Sequence, residues 1–305
     1  CQGANTSFVA TVNPTAQVNP LSNIEVCNGT SINPSSFTTN NTVGTTTYAW
    51  TNSNTAIGLG GSGNGDIPSF TATNTSTTPI TATITVTPTF THNGVSCSGP
   101  AETFTITVNP TPVLNPISNQ TVCNNQATNP MNFVSAGATT ITWTNNLTSI
   151  GLGGSGGGTL PQSIPSFPAT NNTSSAVTAT ILVSSFYNTT NESCPGNTET
   201  FTITINPTPT VNAVGNQVVC DGGSTTAVTF TGNVDNTTYN WASSNTTIGL
   251  TTPTGSNTLP SFTGFNTTNN IVSTTITVTP TAQNCQETPT SFTISVNPTP
   301  AITNT

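Results

Sequence analysis

The sequence predicts an all-β chain of tandem antiparallel β-sandwich domains in an extended array, and three observations carry that expectation. The phrase Val-Asn-Pro-Thr recurs at Val12, Val108 and Val296, with Ile205 opening its remaining copy. The period is therefore about 95 residues, the size of one small domain. Threonine alternates with apolar residues in runs such as Phe104-Thr105-Ile106-Thr107-Val108, which is the period-2 signature of strands. Cysteine keeps step with the repeat: Cys1, Cys97, Cys194 and Cys285 stand at one fixed interval before the four phrases. No stretch has sustained 3.6-residue periodicity or a long apolar run, so neither helices nor direct membrane insertion are expected.

Aligned on the phrase, the chain divides into repeats at 13–108, 109–205 and 206–296, flanked by 1–12 as the C-terminal end of a preceding repeat and 297–305 as a junction to a following one. Each repeat opens on an edge-like segment ending in Cys: Asn23 to Cys27, Asn119 to Cys123 and Asn216 to Cys220. A second strand is expected around Phe37, Phe133 and Phe230. The next strand carries Trp50, Trp143 or Trp241 with an apolar partner two residues before it, on one face of the strand. A Gly-rich loop containing Ile-Gly-Leu leads to Pro-Ser-Phe, and two long alternating strands, Ile80–Thr87 and Phe104–Val108 in the first repeat, complete the unit. One Trp per domain at one position marks a core residue, so Trp50, Trp143 and Trp241 are assigned to the core.

The cysteine positions predict one disulfide per repeat, tying the entry segment to the final hairpin at one pole: Cys27–Cys97, Cys123–Cys194 and Cys220–Cys285. Each would close a loop of roughly 65–70 residues, a constraint of about 4 kcal/mol in the chain-entropy description. Cys1 would pair outside the chain. Such pairing implies an oxidising compartment. Zinc is the rival, but no repeat has a CxxC or a nearby His, and two thiolates cannot close a tetrahedral site.

Composition removes most chemistry. There is no Lys or Arg among 305 residues, and charged residues are 3% where ordinary domains carry about 25%. Nucleic acid and anionic lipid surfaces draw their protein partners through Lys and Arg, so neither is an expected partner. Gly58 to Gly63 and Gly151 to Gly156 spell G-x-G-x-x-G, but no helix follows to face a pyrophosphate. Gly153 to Gly157 spells G-x-S-x-G, yet the single His92 belongs to another repeat, so no triad is expected. Glu102 and Glu199 are equivalent, but the third repeat has Thr290 there. A solvated surface role is expected for all eight carboxylates. No catalytic residue, metal ligand or cofactor is assigned. Sequons such as Asn28, Asn119, Asn146, Asn188 and Asn236 arise readily in an Asn/Thr-rich chain.

The recurrent string of Trp50, Ile57-Gly58-Leu59, Pro68 to Asn74, Thr81 to Pro88, Cys97 and Phe104 to Pro112, repeated twice more, resembles the PKD-like repeats of very large secreted surface proteins of Bacteroidetes, including SprB-type gliding-motility adhesins. The resemblance implies a β-sandwich, export by type IX secretion and a stalk-like or filamentous display role at the cell surface. It supplies no catalytic residues. The expected function is a structural segment of an extracellular adhesin, with neighbouring repeats of the same polypeptide as partners, surface glycans or substratum as targets, and lateral self-assembly into fibres favoured by neutral Thr-rich faces. A carbohydrate-binding array, or a spacer in a secreted polysaccharide-degrading enzyme, is the alternative.

Overall fold

The computed structural model describes residues 2–300. It contains three copies of one all-β unit, each an Ig-like sandwich built on a sheet of the same strand order. In the first unit that sheet runs from the entry strand Ile24–Cys27 to the closing strand Glu102–Asn109, the long strand Ile80–His92, the Trp strand Thr45–Asn52 and a short Gly strand Ser62–Asn64. The second unit uses Gln120–Cys123, Ser193–Asn206, Val177–Asn188, Thr140–Asn145 and Ser155–Thr159 in that order. The third uses Gln217–Cys220, Thr290–Asn297, Val272–Ala282, Thr238–Ser243 and Thr254–Ser256.

The opposite layer is thin. It consists of two-stranded pairs such as Ser31–Ile32 with Phe70–Thr71, and Met131–Phe133 with Gln162–Ile164. The strand expected around Phe37 is absent: Phe37 is buried in an irregular segment, held by its backbone N–H donating to Asp66 Oδ1 at 2.8 Å. Phe133 closes a three-residue strand, and Phe230 follows a two-residue one.

Alternation sets the two faces of the sheet. Ala82, Ile84 and Val86 on the long strand and Ile106 and Val108 on the closing strand are fully buried, each Ile or Val contributing about 1.5–3 kcal/mol by leaving water. Threonines between them face out and pair across the strands, Thr81 with Thr107 at 2.9 Å and Thr178 with Thr204 at 3.0 Å. The third unit has Ser273 and Ser295 in their place, at 2.8 Å.

Trp50, Trp143 and Trp241 are 4%, 8% and 3% exposed, each within its unit's core. Their indole edges lie over Gly63, Gly156 and Gly255, where an added Cβ would sit 2.5–2.6 Å from the ring. The last glycine of each accidental phosphate-loop spelling is thus a packing requirement of the Trp. Gly156→Val is expected to destabilise the second unit by about 2–3 kcal/mol through overpacking, read as a lowered denaturation midpoint for that unit. An unchanged midpoint would show that the indole can move aside.

The entry strand pairs with the closing strand in parallel, Ile24 opposite Ile106 and Cys27 opposite Asn109, with the same arrangement at 120–123 and 217–220. Each sheet is therefore mixed rather than purely antiparallel. Asn23, Asn119 and Asn216 lock this register: their Oδ1 atoms accept from the backbone N–H of Thr105, Thr202 and Thr293 at 2.7–2.8 Å.

That direction overturns the expected disulfides. The closing strand lies between the two cysteines of a repeat: Cys27 sits beside its end, whereas Cys97 precedes its start. Eight residues of strand span roughly 25 Å, and a disulfide needs Cα atoms within about 7 Å. The cysteines of one repeat occupy opposite poles, and the bridges instead join consecutive repeats: Cys27–Cys194 and Cys123–Cys285, with Cα–Cα distances of 5.4 and 5.6 Å. Among the described residues, Cys97 and Cys220 are unbridged. Cys1, expected to pair outside the chain, lies outside the described residues.

Candidate functional site: the stapled junctions between repeats

The feature that recurs with its side chains in register is the junction. Its centre is the residue after each entry-strand cysteine. Asn28 donates from Nδ2 to Thr111 Oγ1 in the Asn-Pro-Thr-Pro linker at 2.9 Å and accepts at Oδ1 from the backbone N–H of Asn74 at 2.8 Å. Asn124 repeats both contacts, with Thr208 at 3.2 Å and Asn171 at 2.8 Å. In the third unit Asp221 does the same with reversed polarity at the linker, accepting from Thr299 Oγ1 at 3.0 Å and from the Asn266 N–H at 2.8 Å. Each linker is thereby fastened to the unit it leaves, and proline restricts the backbone between.

Behind the clamp lies a buried asparagine. Asn74, Asn171 and Asn266 are 3–4% exposed. Each donates both amide hydrogens to main-chain carbonyls at 2.8–2.9 Å: Asn171 reaches Ser175 and Ile205, and its counterparts reach Thr78 with Val108 and Asn270 with Val296. Each Oδ1 accepts from the residue two positions on, Ser76, Thr173 or Thr268. A buried amide with its donors and acceptor satisfied joins the loop, the entry strand and the closing strand at one pole. The sequence carried a signal for it, since Asn ends the Pro-Ser-Phe string in two repeats and the aligned Gly-Phe-Asn in the third.

Across the junction, the second repeat presents its closing hairpin. Cys194 there bridges Cys27, and Asn191 donates to Glu25 Oε2 at 3.1 Å while Asn109 of the linker donates to Oε1 at 3.0 Å. These hydrogen bonds, Asn109's first and then Asn191's, hold the Glu25 carboxyl below its ordinary value of 4.5 against a small opposing effect of burial. A depressed carboxylate contributes stability above its unfolded value and loses it as pH falls through the folded one. Acidification below the ordinary carboxylate range is therefore expected to loosen the first junction's polar contacts. Thr121 occupies this place at the second junction, where Asn206 donates instead to the Gln283 carbonyl at 2.9 Å. An NMR titration should place Glu25 below 4.5 and move it upward in Asn191→Ala; an unmoved value would remove the contact's significance.

Three of the carboxylates expected to be merely solvated thus have structural work: Glu25 and Asp221 at junctions, and Asp66 at Phe37. Four of the five sequon asparagines named above are engaged as well, Asn28 in the clamp, Asn119 in the register lock, Asn146 accepting from the Thr180 N–H at 2.8 Å and Asn188 accepting from the Ser193 hydroxyl at 2.6 Å. Among the described residues no three His, Cys, Asp or Glu side chains gather as a metal site. The Trp indoles, buried, offer no exposed stacking platform for a sugar.

No protein-family model matches the sequence, and no curated protein is similar to it. Solved structures that match the chain include a three-Ig structure of titin domains I67–I69, in an E-to-A mutated variant, at 7% identity and TM-score 0.47, covering 93% of this chain and 98% of that one. Mouse cadherin-23 EC22-24 matches at 12% identity and TM-score 0.40, covering 93% and 99%. The human desmocollin-1 ectodomain matches at 9% identity and TM-score 0.38, covering 93% of this chain, which spans 61% of that ectodomain's length.

Proposed function

We propose that the chain is a structural repeat segment, a stalk or filament, of a large bacterial cell-surface adhesin. The observation that carries this reading is the junction: two disulfides join consecutive repeats, and every linker is hydrogen-bonded to the unit it leaves. Staples between domains resist bending and separation, which is what a display stalk requires. The repeats act at 13–108, 109–205 and 206–296, serve no catalytic step, and lie outside the cell, where disulfides persist. Gliding motility and type IX export are the setting that the resemblance implies, with surface glycans or substratum contacted elsewhere in the assembly. The carbohydrate-binding alternative rested on the tryptophans and loses its main support with their burial.

Electron microscopy of the oxidised chain tests the reading. Three units joined end to end should appear as a beaded rod of roughly 100 Å, since each sandwich is about one ten-residue strand long. A collapsed three-lobed particle would overturn it.

A further inference from the structure

Cys97 and Cys220 are unlike halves of a bridge that this chain builds twice. The built bridges always join the entry-strand cysteine of one repeat to the closing-hairpin cysteine of the next, Cys27 to Cys194 and Cys123 to Cys285. Among the described residues, Cys220 is an entry-strand cysteine that no closing hairpin faces, and Cys97 a hairpin cysteine that no entry-strand cysteine faces. Their surroundings are half-assembled junctions. Beside Cys220 the linker clamp is already formed, Thr299 on Asp221 at 3.0 Å. Near Cys97, Asn13 of the preceding phrase already donates to the Val95 carbonyl at 3.5 Å, as Asn206 does to Gln283.

Exposure points the same way. The seated hairpin cysteines Cys194 and Cys285 are each 1% exposed, whereas Cys97 is only partly buried and Cys220 is exposed. Val218, at the position from which Glu25 reaches the next repeat, is 65% exposed, and Val95 on the hairpin beside Cys97 is 57% exposed. Each end thus presents a thiol with an exposed apolar residue next to it, whereas at the second built junction the matching exposed positions, Thr121 and Gln283, are polar.

We propose that these ends are covalent docking surfaces for another repeat of this kind: the Cys220 face takes a closing-hairpin cysteine and the Cys97 face an entry-strand cysteine, extending the staples into a continuous ladder of one polarity. The proposal rests on the stalk reading and specifies how the stalk is held. Closure is two thiol–disulfide exchanges with a small-molecule disulfide such as oxidised glutathione, the two thiols becoming one disulfide and the oxidant leaving as two reduced thiols.

The test is a tandem chain with residues 1–297 of one copy followed by residues 14–305 of a second, which keeps the Val-Asn-Pro-Thr phrase intact, with Cys1→Ser in the leading copy. After refolding in glutathione buffer, chymotryptic and peptic peptides are mapped by mass spectrometry. Cys220 of the first copy should be recovered linked to Cys97 of the second, and alkylation of both should fall roughly tenfold or more relative to the single chain, because the tether holds the partners at high effective concentration. Cys220→Ser in the first copy should restore alkylation of the second copy's Cys97. Both thiols remaining open while Cys27–Cys194 and Cys123–Cys285 are intact would overturn the ladder and leave the stalk reading standing. Loss of those internal bridges as well would overturn both. A Cys97 still protected in the Cys220→Ser chain would show a different partner and likewise reject the proposal.

Discussion

Pulled from its two ends by single-molecule force spectroscopy, the oxidised chain is expected to stop lengthening far short of its full contour. The shortest covalent route runs in to Cys27, across to Cys194, back along the chain to Cys123, across to Cys285 and out. That route is about 120 residues, so full extension is roughly 400 Å, against roughly 1,000 Å for the reduced chain. Reduction with dithiothreitol should restore the difference. A second arm separates these bridges from pairing inside a repeat: Cys97→Ser should leave the oxidised contour unchanged, whereas a Cys27–Cys97 bridge would on that substitution release about 70 residues, or roughly 240 Å. An equal contour before and after reduction would mean that no such staple exists.

The second large effect belongs to the buried asparagines. Asn171→Leu in a Trp50→Phe, Trp241→Phe background, which leaves Trp143 as the sole indole reporter, should lower the stability of the second unit by about 3 kcal/mol. The substitution takes the buried donor from the Ile205 carbonyl, and an unsatisfied buried group costs about 1–3 kcal/mol; the Ser175 carbonyl loses one of two donors and keeps Thr173 Oγ1 at 2.8 Å. The substitution also deletes the acceptor that orders Thr173. Denaturant unfolding followed by Trp143 fluorescence measures it. A loss under about 0.5 kcal/mol would mean that water replaces the amide at no cost.

The outward half of this architecture was legible in the sequence because it is periodic. Threonine–apolar alternation located the long and closing strands, and Trp50, Trp143 and Trp241 recur at one place in every unit, where the structure has the core. The thin layer was less legible, since Phe37 is buried without a strand and pairs of two or three residues leave almost no alternation to read. The disulfides required a step that spacing does not contain. In domains joined end to end, the chain enters at one pole and leaves at the other, so entry and closing strands run the same way. Once they are neighbours in a sheet, the end of one lies beside the end of the other, Cys27 opposite Asn109, and the bridge must look outward to the next repeat. Treating the sheet as purely antiparallel placed both cysteines of a repeat at one pole and hid this. Asn74, Asn171 and Asn266 were hidden differently, by a composition so rich in asparagine that three important ones do not stand out.

The overlap of the two bridges also governs what a protease can do. Because the span from Cys27 to Cys194 overlaps the span from Cys123 to Cys285, one broken peptide bond anywhere between Cys27 and Cys285 leaves both ends in a single covalent molecule. A second break does not part them either. Separation needs a cut in each of three intervals, between Cys27 and Cys123, between Cys123 and Cys194, and between Cys194 and Cys285. A fibre outside the cell, where lost material is not resynthesised in place, would on this wiring survive isolated nicks without losing anything attached beyond them.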